Sequence, residues 1–151
     1  MPVTIHKALV QTARARKNRI RPEIDRIGLS PGQPKVLTYL SEHNECMQKD
    51  IAEALDIEPA TISQILAKME QSGLIRRMNF AERKRADRVS ITDKGWEAFA
   101  QWLQICKQVD DISFRGFSQP EREQMVRYLC RMYRNRERPF LNFCASGGIK
   151  C

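Results

Sequence analysis

The sequence predicts a mainly α-helical fold with a small two- or three-stranded β wing: a winged helix-turn-helix with further helices before and after it. Three observations predict this. A segment opening at Pro59 and closing at Gly73 has helix punctuation at both ends and two faces of different chemistry. A shorter apolar-periodic segment precedes it across the tight turn Asp56-Ile57-Glu58. Two β-prone runs then enclose a polar, basic loop.

Taken in order, residues 5 to 27 place Ile5, Leu9, Ala13, Ile20, Ile24 and Ile27 at helical intervals. Lys7, Arg14, Arg16, Lys17, Arg19 and Arg21 are interleaved with them. That basic face reads either as a solvated surface or as a surface helping to hold a polyanion. Pro22 removes an N–H donor inside the pattern and is expected to kink or divide the helix. Ser30-Pro31-Gly32-Gln33 has the form of a capping box with Pro at the first helical position. It is expected to open a helix with Val36, Leu37 and Leu40 inward, ending near Glu42.

The helix-turn-helix follows. Met47 to Leu55 carries Ile51, Ala52 and Leu55 on one side. Pro59 suits the first turn of the next helix, and Gly73 suits the positive φ just past its end. Ile62, Ile65, Leu66 and Met69 form its core-facing stripe. Ala60, Thr61, Ser63, Gln64, Ala67 and Lys68 form the other face, where an ordinary solvated helix would be rich in Glu and Lys. A small, hydrogen-bonding face of that kind can approach a polar surface closely. In a helix-turn-helix the second helix is the one that enters the DNA major groove.

Residues 74–78 and 88–92 each read as a strand, with 79–87 as the loop between them. From Arg76 to Arg88 six basic residues stand against Glu82 and Asp87, which suits phosphate neutralisation. Thr92-Asp93 is expected to cap a long helix to about Ile112, with Trp96, Phe99, Leu103, Cys106 and Val109 along one side. Ser118-Gln119-Pro120-Glu121 is a second capping box, opening a helix to about Arg136 that carries Met125, Leu129, Met132 and Tyr133. In the tail, residues 137–151, Pro139 stops the helix, Phe140, Leu141 and Phe143 are suited to docking, and the last seven residues suit a flexible end.

Composition supports this frame. A chain of 151 residues with 42% hydrophobic content can bury a core. Its net charge of +8 suits a polyanionic partner. Neither a signal-peptide core nor an apolar run near membrane-spanning length occurs, so a soluble, cytoplasmic protein with no membrane partner is expected. The five cysteines form no CxxC, and His6 and His43 lie far from all of them. A structural zinc site and a secreted disulfide framework are therefore not expected. No cofactor or metal site is expected.

Leu29-Ser-Pro-Gly-Gln, Gln48-Lys-Asp-Ile-Ala-Glu-Ala-Leu, Ala60-Thr-Ile-Ser, Gly73-Leu-Ile-Arg-Arg, Arg83-Lys-Arg and Ile91-Thr-Asp-Lys-Gly occur in this order. Together they resemble a MarR-family transcriptional regulator over roughly residues 5 to 136. The resemblance implies a homodimer, with residues 1–28 and 93–136 as dimerisation helices and 29–92 as the DNA-binding lobe. Two-fold symmetry then implies a pseudo-palindromic double-stranded DNA operator with half-sites about one helical turn apart. The DNA-binding candidates are Ala60, Thr61, Ser63, Gln64 and Lys68 on the helix, with Arg83, Lys84, Arg85 and Arg88 on the wing. Arg85 matches the family arginine that enters the minor groove. The acidic residue usual two positions before it is Arg83 here, so either Glu82 or Asp87 substitutes for it or the wing tip is less selective.

Three further expectations concern chemistry and signal. No catalytic residue is expected: the chain lacks a glycine-rich phosphate loop, GxSxG and HExxH, and its carboxylates fall on helix surfaces and caps. Members of the family commonly take a small amphipathic, aromatic ligand, and Tyr39, Trp96 and Phe99 are candidates for such a cleft, with core packing as the competing reading. Cys144 and Cys151 are candidates for an oxidation-dependent disulfide, and Cys46 for electrophile sensitivity, against a reading as incidental thiols. The function so expected is a repressor released by a small-molecule or oxidant signal. An effector-independent architectural or activating winged helix and a protein-interaction adaptor remain as alternatives.

Overall fold

The computed structural model describes residues 3–80 and 85–135, of which 79, 80 and 85–87 are described by their backbone. The order is α1 (Ile5–Arg26), α2 (Gln33–Glu42), β1 (Cys46–Met47), α3 (Gln48–Leu55), α4 (Pro59–Gln71), β2 (Ile75–Phe80), β3 (Arg85–Ile91), α5 (Asp93–Ser113) and α6 (Gln119–Arg134). The antiparallel sheet has the order β1-β3-β2, and Cys46 pairs with Val89 while Ile75 pairs with Ile91. The wing is thus three-stranded.

A single cluster holds the lobe together. Val36, Leu37 and Leu40 of α2, Ile51 of α3, Ile62, Leu66 and Met69 of α4 and Val89 of β3 are fully buried. Leu74, just before β2, joins them with Ile75 and Ile91 of the sheet, and Ala98, Phe99, Trp102, Ile105 and Val109 of α5. The turn between α3 and α4 closes through Asp56, whose φ of 52° is left-handed. Gly73, at φ 75°, turns the chain out of α4 into β2.

Several boundaries differ from the sequence reading. Pro22 does not divide the first helix, which runs unbroken through it. A proline costs one donor and crowds one preceding carbonyl, and one long helix packing along α5 tolerates that. Ser30 does not cap α2, because the helix begins three residues later with Gly32 at its N-cap. Half of the proposed box survives as a loop contact, in which the Ser30 amide donates to Gln33 Oε1 at 2.9 Å. The hairpin strands also reach further than the polar residues suggested, to Phe80 and Arg85, with an irregularity between Met78 and Phe80. Backbone pairing carries them past the end of the apolar pattern.

The stripe on α5 is rotated from the expected one. Trp102 and Ile105 are buried, whereas Trp96 is 41% exposed. The start of α5 is fixed by Thr92, whose hydroxyl accepts from the Gly95 amide at 3.1 Å. The same hydroxyl donates to the Gly73 carbonyl at 2.6 Å. Gly95 leaves no room for a side chain: an added Cβ would lie 2.1 Å from the Leu74 carbonyl oxygen and 2.7 Å from Ile91 Cγ1. We expect Gly95→Ala to lower stability by about 1–3 kcal/mol, since backbone must move to admit the methyl group. A urea midpoint equal to wild type would contradict this close approach.

Candidate nucleic-acid interface

The reading face is a consequence of packing. Ile62, Leu66 and Met69 are pulled wholly into the core, so a helix of 3.6 residues per turn must turn Ala60, Thr61, Gln64, Ala67 and Lys68 outward. All five are exposed, and Ser63 lies half-buried at the edge of the face. The helix opens on Pro59, and its N-cap Glu58 makes no side-chain cap. The amide end of the helix dipole, which favours anions, is therefore not neutralised by a local carboxylate bond.

The far end of α4 is held from outside. The Lys94 ammonium donates to the Ser72 carbonyl at 2.8 Å and Thr92 to that of Gly73, so the start of α5 ties off the last turn of α4. Arg77 of β2 also reaches α4: its Nη2 donates to the Ser63 carbonyl at 3.3 Å and its Nε lies 3.4 Å from Glu70 Oε2. Counting charges along the sequence placed Arg77 among the wing cations and missed this inward role. A basic residue directly after a β-prone apolar pair, opposite an acid late in the preceding helix, was the available signal.

On the wing, Arg88 is exposed and donates to the Glu45 carbonyl at 3.3 Å, which leaves its guanidinium at the surface. Arg76 is also exposed. Arg83 and Lys84 lie outside the described residues, and of Arg85 only the backbone, in β3, is described. The expectation about Glu82 or Asp87 supporting Arg85 likewise falls outside what is described.

The expected ligand cleft is not assembled as three facing aromatics. Trp96 and Phe99 meet edge to face, with ring centroids 6.0 Å apart. Phe99, only 7% exposed, is committed to the lobe core. Tyr39 stacks instead on His43, with centroids 4.4 Å apart. Trp96 is the one member of the set with a large exposed face.

The thiols divide likewise. Cys144 and Cys151 lie outside the described residues. Cys46 is half-buried in β1, and burial pushes its thiol up to about 11 from the usual value near 9, with a smaller contribution from Asp50. Burial does the same to Cys106, also to about 11, against the opposing pull of Arg16. Arg16 itself pairs with Asp110, joining α1 to α5. Cys130, buried on α6, is disulfide-bonded and is not a free thiol. Among the described residues no group of His, Cys, Asp and Glu is arranged to hold a metal ion, and no helix is long and apolar enough to cross a membrane.

The family model of the MarR family matches residues 29–86, the span from the end of α1 through the reading helix into the wing. Over these residues the chain is similar to the MarR family. The transcriptional repressor MdtR of Bacillus subtilis (strain 168) is 29% identical over 89 residues, which cover 56% of this chain and 57% of that one. Among solved structures, the transcriptional regulator SlyA has a TM-score of 0.76 at 26% identity, with 87% of this chain and 93% of that one covered. A MarR-family regulator from Listeria monocytogenes, crystallised with a 26mer DNA, has a TM-score of 0.77 over 89% of both chains at 21% identity, which shows a shared fold. The MarR fold thus extends well beyond the lobe that the family model matches.

The raised thiols give a testable pH dependence. Both are higher in the folded protein than the usual value, so their contribution to stability is complete below pH 9 and is lost as pH rises through about 11. At pH 7 both thiols are therefore overwhelmingly protonated. Peptide mapping after iodoacetamide at pH 7 should therefore find Cys46 and Cys106 unmodified in the native state and labelled after denaturation. Rapid native labelling of Cys46 would contradict the assignment.

Proposed function

We propose that this protein is a homodimeric, sequence-specific double-stranded DNA-binding transcriptional regulator of the cytoplasm, acting as a repressor without catalytic activity of its own. The observation that carries the reading is the face of α4. Its apolar side is fully buried while Thr61, Gln64 and Lys68 stand exposed beside an exposed Arg88. Gln presents a paired donor and acceptor that match adenine, and Lys a cation for guanine or phosphate. Ala60 and Ser63 are small enough to let the helix backbone approach base edges. Arg83, Lys84, Arg85 and Arg88 supply phosphate and minor-groove contacts from the wing. The repressor name of MdtR and the DNA held by the Listeria protein support the same assignment.

The dimer rests on exposed apolar surface. Val3, Ile5, Leu9 and Val10 of the N-terminal segment and Met125, Tyr128, Leu129 and Met132 of α6 are all exposed, and burial of such surface drives association. Residues 1–28 and 93–136 form the dimerisation part in this reading, and 29–92 the reading lobe. Its two copies meet successive major grooves of a pseudo-palindromic operator. Release follows when a small aromatic ligand at the exposed ring of Trp96, or oxidation of the tail thiols Cys144 and Cys151, favours a dimer shape that fits DNA less well.

Selection of bound duplexes from a random pool tests the reading, and should return a two-fold motif held about a thousandfold more tightly than scrambled duplex. Gln64→Ala should reduce operator affinity by roughly 1–3 kcal/mol with no change in melting temperature, and Arg88→Ala should lower the salt slope by about one. Binding with the salt slope but no recovered motif would leave an architectural protein, and no binding at all an interaction adaptor. Separately, Leu129→Asp should convert the dimer to monomers in sedimentation while far-ultraviolet helicity is retained. An unchanged dimer would place the interface elsewhere.

A further inference from the structure

Arg77 stands among exposed cations but is itself largely withdrawn from water, its side chain 20% exposed. Nη2 donates to the carbonyl of Ser63 at 3.3 Å, and Nε lies 3.4 Å from the Glu70 carboxylate. That Nε is buried and makes no hydrogen bond, so at this atom the guanidinium is met by the Glu70 carboxylate as an ion pair. Ser63 and Glu70 are seven residues apart and fall on the same flank of α4, between its buried stripe and its exposed face. Ala67, one turn from Ser63 on the exposed side of that flank, is too small to obstruct the guanidinium.

Apolar packing of Ile62, Leu66 and Met69 fixes how deeply α4 sits, but it is non-directional and resists a small rotation about the helix axis weakly. A planar guanidinium held at two points of one flank is directional. We propose that Arg77 is a positioning residue that sets the rotation of α4 against β2, and through it which base edges Gln64 and Lys68 meet, rather than a contact to a phosphate. Sequence preference would then depend on a residue that does not touch the DNA. The proposal rests on the DNA-reading function above.

The test compares wild type, Arg77→Gln, Arg77→Lys, Glu70→Gln and the Arg77→Gln/Glu70→Gln double variant. Each is measured on the duplex recovered by selection and on a scrambled duplex of equal length across a salt series, with the binding-competent fraction titrated first so that misfolded protein does not enter the constants. Arg77→Gln should lower the ratio of selected to scrambled affinity about tenfold, the scale of one misplaced base contact, and leave the salt slope unchanged. Arg77→Lys should fail to restore the ratio, because an ammonium lacks the two-point fork. Glu70→Gln removes an exposed negative charge from α4, so a purely electrostatic role would make it bind DNA better. The proposal instead expects it to lose preference, with the double variant no worse than the more affected single. A salt slope reduced by about one with the ratio intact would make Arg77 a phosphate contact and overturn the proposal. So would an unchanged ratio in both single variants. A wild-type protein without any preference would overturn the DNA-reading function itself, an outcome distinct from either.

Discussion

Burial of one side of α4 is the constraint on which the rest of the molecule depends. Ile62, Leu66 and Met69 have no exposed surface, and they meet Leu37, Leu40, Ile51 and Val89 in a single core. Burial of three side chains of this size contributes several kcal/mol, at roughly 1.5–3 kcal/mol each as an upper estimate. Because the helix is stiff and its period is not a matter of choice, the same burial turns Thr61, Gln64 and Lys68 to the surface. Presentation of a polar face is therefore a by-product of hydrophobic packing.

The elements around α4 divide the work of holding it. The start of α5 closes its C-terminal end through Thr92 and Lys94, and the lack of a side chain at Gly95 lets α5 approach the backbone of Leu74. Through α5 that end is linked to α1 by the Arg16–Asp110 pair. The reading helix and the long helix behind it are thus joined by backbone-directed hydrogen bonds rather than by side-chain packing alone. A rotation of α5 driven from its distal half would carry the end of α4 with it. In the function proposed above, such a linkage is what a signal acting on α5 needs to reach the exposed face of α4.

Legibility from sequence followed the range of the interactions concerned. The span of α4 was readable from Pro59 and Gly73, and its two faces from periodicity, because a local backbone rule and one buried stripe decide both. The second capping box was readable too, since Ser118 and Glu121 satisfy each other within four residues. The first box was misread: Gly32 adopts φ 92° and delays the helix, a choice decided by chain geometry beyond the Ser-x-x-Gln pattern. On α5 the expected stripe put Trp96 inward, but a 21-residue helix touching both α1 and α2 has more than one inward direction, and only tertiary contacts select Trp102 and Ile105. Arg77 was misjudged for the same reason: its partners, Ser63 and Glu70 on a neighbouring element, are defined by which side of an element faces its neighbour.

The central claim is that the exposed side of α4, presented twice by a two-fold dimer, lies in successive major grooves. Hydroxyl-radical footprinting of the wild-type protein on its selected duplex tests it most directly. The account predicts two symmetry-related protected patches on one side of the duplex, centred about one helical turn apart, with further protection of the flanking minor grooves by the wing. A single patch, or protection spread evenly along both strands, would contradict it.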